Sequence, residues 1–402
     1  MRTTFGRLLA TPGAPAFTAS ALVSRLPLSM AALGIVLLVT DHGGSYGEAG
    51  LVSAAYVIAA AVFAPVHGRL ADQLGQALLC WVGGAGVAVG LTLVVLSVRD
   101  EWANPLPHAC AALAGAFVPQ TSSFVRARWS HVLRDDRSLL GTAFAWEAVL
   151  DEVVFVVGPV LVTFLTLHVA DWSGLGVTAA AATLGAWAFA LQRRTAPPRG
   201  QHTRATREPL GWDRLAPLVV ASVGLGVLFG STEVLVVAFT DEAGNRGASG
   251  LVLAVWAFGS LLAGTIAGAR PAADPLARLR WTSVVLTASF IPLTLVAGIP
   301  LLTAAIFVTG FMVAPTLIAA TALVEACVAP SRLTEALTWT TTGLAVGVAP
   351  GAAVSGAVVD RAGASAGFLV PLVAAALATL VVWAFSRRIS PAIPLVADPV
   401  ND

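Results

Sequence analysis

Three carboxylates fall within one six-residue window of an otherwise apolar run, Glu147, Asp151 and Glu152 in the stretch WEAVLDEVVFVVGP from Trp146 to Pro159. A carboxyl can hold a proton or neutralise a cation. Inside a membrane helix an ionisable group costs on the order of 3 kcal/mol on insertion scales, so it has to face a partner or a water-filled cavity. Glu147 and Asp151 are four apart and share one helical face, while Glu152 points about 100° further round. Arg25 lies about nine residues, or ~13 Å, into its own apolar segment, at a depth matching the three acids. An arginine and carboxylates buried apart would each be untenable, so the sequence predicts a charge pair between Arg25 and one of them.

Three acids and one arginine do not balance. At least one acid must face water, find another partner or stay protonated, and such a group can take a proton from one side and release it on the other. The competing arrangement is a static ion-pair cluster that only holds two helices together. A fourth isolated acid, Glu233, lies in the outer half of a later apolar segment. There it is placed to bind a cationic substrate or a proton, or simply to be solvated near a mouth.

Positioning these groups falls to long apolar segments. Hydrophobic residues make up 57% of the chain, charged residues 11%, and mean hydropathy is +0.84, far from the roughly 25% charge of a soluble domain. This is the composition of a polytopic membrane protein whose surroundings are a lipid bilayer. Crossing the hydrocarbon core takes about 20 apolar residues, and twelve segments qualify: 16–40, 48–67, 77–97, 106–126, 139–166, 173–191, 215–239, 247–268, 280–298, 300–324, 333–356 and 366–386. The three carboxylates are on the fifth segment, Arg25 on the first and Glu233 on the seventh. Residues 192–214, with six Arg and three Pro, read as a polar linker with at most a short surface helix. It divides an N-terminal half, 1–191, from a C-terminal half, 215–402.

Arginine placement sets the orientation. With the N-terminus in the cytoplasm, nineteen Arg lie on the cytoplasmic side and three, Arg99, Arg246 and Arg361, on the other. That bias places both termini in the cytoplasm of a protein in the cell membrane. The first apolar run is too long for a signal peptide and reads as a spanning helix. The near-neutral balance of 23 basic and 22 acidic residues gives no electrostatic reason to expect nucleic acid. Cys80, Cys110 and Cys327 are isolated, and no His pair has metal-ligand spacing, so neither a metal nor a cofactor is expected. The chain has no phosphate loop and no Gly-x-Ser-x-Gly elbow, which argues against ATP-driven transport and against an enzyme.

The chain also repeats. A shift of 200 lays Asp41, Gly44, Gly47 and Gly50 on Asp241, Gly244, Gly247 and Gly250, with Tyr56 opposite Trp256. Both copies start on the same side of the membrane, so the repeat is parallel. Aligning Trp146 with Trp339 brings Gly158 onto Gly351, but Glu147, Asp151 and Glu152 then face Thr340, Leu344 and Ala345, and Arg25 faces Leu225 under the 200 shift. The scaffold is duplicated and the charges are not, as expected if they serve coupling or substrate binding.

Twelve helices in a parallel six-plus-six repeat resemble the major facilitator superfamily, an all-α membrane fold whose halves are related by a pseudo-twofold axis. Between segments two and three the sequence Gly68-Arg-Leu-Ala-Asp72-Gln-Leu-Gly75-Gln76 is similar to that family's signature loop, Gly-x-Leu-Ala-Asp-(Arg/Lys)-x-Gly-(Arg/Lys). Gln73 and Gln76 stand where the pattern has basic residues. The resemblance implies that Gly68, Asp72 and Gly75 belong to a cytoplasmic gate, with Asp72 capping a helix of the other half or pairing with Arg126 or Arg128. Gly158-Pro159 looks like the core of the family's antiporter motif and would act as a hinge in the fifth helix, although Val154, Val162 and Thr163 occupy the motif's other glycine positions. The resemblance further implies a monomeric secondary transporter that moves a small-molecule substrate by alternating access. Export of a drug or metabolite in exchange for protons is the leading expectation, and uptake, facilitated diffusion and a non-transporting sensor are the alternatives.

Overall fold

The computed structural model describes residues 7–8, 10–134, 139–198, 210–268, 274–328 and 332–389, without the side chains of residues 72, 141 and 334. Its elements are helices. The first expected segment forms α1 (Ala14–Arg25) and α2 (Pro27–Asp41), divided at Leu26 because Pro27 has no N–H to continue the ladder. The next are α3 (Tyr46–Leu74) and α4 (Gln76–Arg99). The fourth segment, expected as one helix over 106–126, is α5 (Leu106–Ala116) and α6 (Thr121–Val132), broken around Pro119. The first half closes with α7 (Leu140–His168) and α8 (Ser173–Leu191).

The second half holds α9 (Trp212–Glu242), α10 (Ala248–Gly268), α11 (Pro275–Ser289), α12 (Ile299–Cys327), α13 (Leu333–Gly367) and α14 (Leu369–Ala384). Helix α11 starts five residues earlier than expected. Asp274 caps it by accepting from the Ala277 N–H at 3.0 Å, and Pro275 occupies its first turn. It also stops short of 298, before Pro292. Helix α13 runs past 356 to a kink at Gly363, where φ is +83°. Among the described residues, nine spans are long and apolar enough to cross a membrane, with α1 and α2 counted as one. Large apolar side chains such as Leu184, Leu191 and Leu380 lie on the outside, more than 60% exposed, as a lipid-facing surface requires. Part of the polar linker is a single turn at Arg193–Thr195, and residues 199–209 lie outside the described residues.

Close packing is uneven. In the second half α9 and α13 touch backbone to backbone, and a methyl group on Gly347 or Gly351 would collide with the carbonyl of Val223 or Val227. Small residues of this kind let membrane helices associate where no hydrophobic force drives them together. Between halves, α3 meets α13 where Gly50 faces the Ala352 carbonyl, and α7 meets α10 where Gly250 faces the Pro159 carbonyl.

Candidate transport site

Arg25 ends α1 immediately before the Pro27 break and is 1% exposed. Its Nη2 donates to Glu147 Oε2, and its Nη1 donates to Asp151 Oδ1 at 2.8 Å. Both acids lie on the face of α7 that their four-residue spacing gives them. Glu147 is fully buried and its second oxygen accepts from the Trp129 indole N–H at 2.7 Å. Asp151 is 24% exposed and its second oxygen accepts from Arg126 Nη2 at 2.8 Å. The cluster is thus two arginines on two acids, each acid held through both oxygens. Sequence reasoning missed Trp129, and it offered Arg126 to a different partner.

Glu152 is the acid left over. Turned away from Arg25, it lines a cavity of ≈ 460 Å³ between the halves together with Glu233, a size within the range of small-molecule sites. Ser29 of α2, Phe155 of α7, Phe229 of α9 and Trp256 of α10 share the wall. Leu344 and Ala345 of α13, the counterparts of Asp151 and Glu152, line it too. Among the described residues neither Glu152 nor Glu233 has a hydrogen bond or an ion pair. The structure therefore separates the four acids singled out by the sequence into a paired set and a cavity set.

The gate residues take unexpected places. Arg128 is fully buried and spends its guanidinium on Gln76 Oε1 at 3.1 Å, the Gln192 carbonyl and Thr195 Oγ1 at 3.1 Å, and the Phe189 carbonyl at 3.0 Å, over the Phe189 ring. These carbonyls end α8, where a helix dipole favours a cation. Arg126, the other arginine that the sequence offered to Asp72, pairs with Asp151. Asp72 sits on the last turn of α3, and its side chain lies outside the described residues. Gly68 is within the same helix, and Gly75 separates α3 from α4 at φ +90°, a backbone state that favours glycine. Gln76, one of the departures from the signature, accepts from Arg128, where a basic side chain would repel it.

Gly158 and Pro159 lie inside a continuous α7 rather than at a break. A methyl group at 158 would run into the Ser29 hydroxyl, which donates to the Val154 carbonyl at 2.8 Å. This pair marks where α7 meets α2 on one side and α10 on the other.

A second constellation joins the halves at the end of the bundle where α2 passes into α3 and α9 into α10. Tyr46 Oη donates to Asp241 Oδ2 at 2.7 Å, and Arg246 Nη1 donates to Asp41 Oδ1 at 3.3 Å. Residues 46 and 246 are equivalent under the 200 shift, as are 41 and 241, so the contacts are reciprocal across the pseudo-twofold. Arg246 also reaches the Leu37 carbonyl at 2.8 Å, and Asp360 accepts from the Tyr46 and Gly47 amides at 2.9 and 2.8 Å. The repeated loop aspartates were the signal that could have revealed this pairing. Nearby, Asp171 binds His42 at 2.8 Å and Arg99 at 3.2 Å. Burial pushes its carboxyl up, but the His42 hydrogen bond, the Trp172 amide and Arg99 outweigh this and hold it below the usual aspartate range.

The sequence profile described as Major Facilitator Superfamily matches residues 17–282. The chain belongs to the Major Facilitator Superfamily. No curated protein sequence matches it. Among solved structures it is similar to the nucleoside transporter NupG in a mutant form, with 16% identity, a TM-score of 0.73, and 92% of this chain and 99% of that chain covered. It is also similar to a POT family transporter in complex with 5-aminolevulinic acid, with 10% identity, a TM-score of 0.74, and 94% and 96% covered. A further match is an auto-inhibited POT family peptide transporter, at 14% identity and a TM-score of 0.68, with 96% and 98% covered. At such identities these likenesses carry the fold and not the solute. As a member of the superfamily the chain is a multi-pass membrane protein of the secondary-transporter class, and its cavity between the halves lies where such folds place their substrate.

Proposed function

We propose that this protein exports a small organic solute across the cell membrane by alternating access, in exchange for protons, with both termini in the cytoplasm. The observation that carries this reading is the division of the acids: Arg25 and Arg126 satisfy Glu147 and Asp151, which leaves Glu152 as a carboxyl without a partner on the cavity wall. Glu152 takes up a proton when the cavity faces one side and releases it when the cavity faces the other. Its backbone neighbour Asp151 is tied through Arg25 to α1, so the charge state of Glu152 acts on the helix pair that must move. The reciprocal pairs Tyr46 with Asp241 and Arg246 with Asp41 support a closed outer mouth, which has to open in each cycle. The Gly158-Pro159 motif supports export over uptake.

The full chain in proteoliposomes loaded with a pH-sensitive dye tests this. Adding a transported solute from a panel should drive proton movement, and Glu152→Gln should abolish it while solute-for-solute exchange continues. Proton movement that persists in Glu152→Gln would remove Glu152 from the coupling step, and solute flux indifferent to an imposed pH gradient would remove proton coupling altogether.

A further inference from the structure

The cavity is lined by two carboxyl groups and by no cationic side chain among the described residues. Among its described lining residues the ionisable groups are Glu152 and Glu233, with no Arg or His. The nearby arginines, Arg25 and Arg126, have their carboxylates already. A solute bearing a carboxylate or phosphate would enter without a counter-charge and face two acids. A solute rich in hydroxyls could use the two carboxyls, Ser260 and the unpartnered Trp256 indole N–H, but Ser29 already donates to the Val154 carbonyl and the mostly apolar wall leaves the rest of such a body without partners. What the wall does offer is aromatic: Phe155, Phe229 and Trp256, with the Phe229 and Trp256 ring centroids 5.2 Å apart. A cation near such ring faces is attracted by the negative face of the ring quadrupole, most strongly when it is desolvated.

The two acids are also not equivalent. Glu152 follows Asp151 on α7 and is thereby adjacent to the charge cluster. Glu233 lies in the interior of α9, away from the charged residues at the helix ends, between Thr232 and Val234, both buried, and its counterpart in the first half is Leu33. A carboxyl on an apolar wall with no ion pair or hydrogen bond among the described residues has the solute as its available partner.

We propose that the transported solute is an amphipathic organic cation with a single positive charge, an ammonium group held by Glu233 and an aromatic or aliphatic body packed on Phe229 and Trp256. This rests on the transport reading above and divides its labour, with Glu233 selecting the solute and Glu152 carrying the proton. Charge balance is kept: a monovalent cation leaving the cavity is replaced by one proton, so the acidic pair never stands without at least one positive charge.

The test is equilibrium binding to the purified full chain in an uncharged detergent, by calorimetry, with benzyltrimethylammonium, benzyl alcohol and phenylacetate as probes of one body and three charges. The ammonium should bind more tightly than benzyl alcohol, and phenylacetate should not bind. Glu233→Gln should weaken the ammonium by about tenfold or more, as expected when one partner of a buried charge pair is removed, and Glu233→Asp should restore part of it. Phenylacetate binding as well as the ammonium, or ammonium affinity unchanged in Glu233→Gln, overturns the assignment. If Glu233→Gln does not fold, the charge series on the unaltered chain decides alone. Ammonium binding that persists while Glu152→Gln fails to alter proton movement overturns the coupling reading and leaves this one standing. Proton-coupled flux of a neutral or anionic solute does the reverse.

Discussion

On α13 the residues that meet α9 are Gly343, Gly347 and Gly351, whereas the matching places on α7 hold Leu150, Val154 and Gly158. The second half joins its inner helices by letting backbones touch. The first half keeps larger side chains at two of those positions and joins α1 to α7 through Arg25, Glu147 and Asp151 instead. The first device depends on dispersion over a tight surface and has one best position. The second depends on charges that are expensive alone and adequate together, so it can be weakened or re-formed by a change in protonation or hydration. The duplicated scaffold thus contains one tightly packed seam and one electrostatically adjustable seam, and of the two acids without partners Glu152 lies beside the adjustable one while Glu233 lies on α9 of the other.

The largest effect should come from unbalancing the charged seam. Arg25→Met leaves Glu147 buried without its cation and should cost about 3–5 kcal/mol, read as a large fall in the thermal unfolding midpoint in detergent. Adding Glu147→Leu to Arg25→Met should recover part of that loss, with a residue of about 1–3 kcal/mol from the Trp129 indole left without an acceptor. A double variant no better than the single one would mean that α1 and α7 are not joined through this pair.

Next comes the contrast between equivalent glycines. A methyl at Gly351 meets the Val227 backbone carbonyl, which cannot move aside, while at Gly158 the nearest obstacle is the Ser29 hydroxyl, which can turn. Gly351→Ala should therefore cost about 1–3 kcal/mol and Gly158→Ala clearly less. Equal losses would erase the difference between the seams.

Gln76→Ala strands the Arg128 Nε inside the first half and should cost about 1–3 kcal/mol, with a smaller fall in the unfolding midpoint than Arg25→Met. The smallest effect is expected at the closed end. Because the folded Asp171 carboxyl is held below the usual range, its contribution is complete above the unfolded aspartate value near ~4 and disappears as the pH falls through the lower folded value. Asp171→Asn should therefore unfold slightly below the unaltered chain at neutral pH, and the gap should close on acidification. A gap that widens in acid would contradict the sign.

Much of the architecture was legible in the residue string. Hydropathy alone places the apolar segments, because a bilayer demands about 20 apolar residues whatever their neighbours. The breaks at Pro27 and near Pro119 and the early start of α11 at Asp274-Pro275 were written as local chemistry, yet an average over 20 residues blurs them. The match between Arg25 and the acids of α7 was readable as depth along two helices. Which acid was spare was not, since that turned on Arg126 of α6 reaching Asp151. An arginine side chain reaches several candidates, and only packing selects among them.

The sequence by itself determined the family's architecture, the repeat and the existence of an unbalanced charge cluster, because hydropathy, glycine spacing and charge counting are additive along a chain. The tertiary structure alone decided that Glu147 and Asp151 are consumed in pairs, that Glu152 and Glu233 from opposite halves face one cavity, and that residues 46 and 246 reach across to each other's aspartates. These are distances between residues far apart in the chain, and such distances are set by how helices cross rather than by what either helix contains.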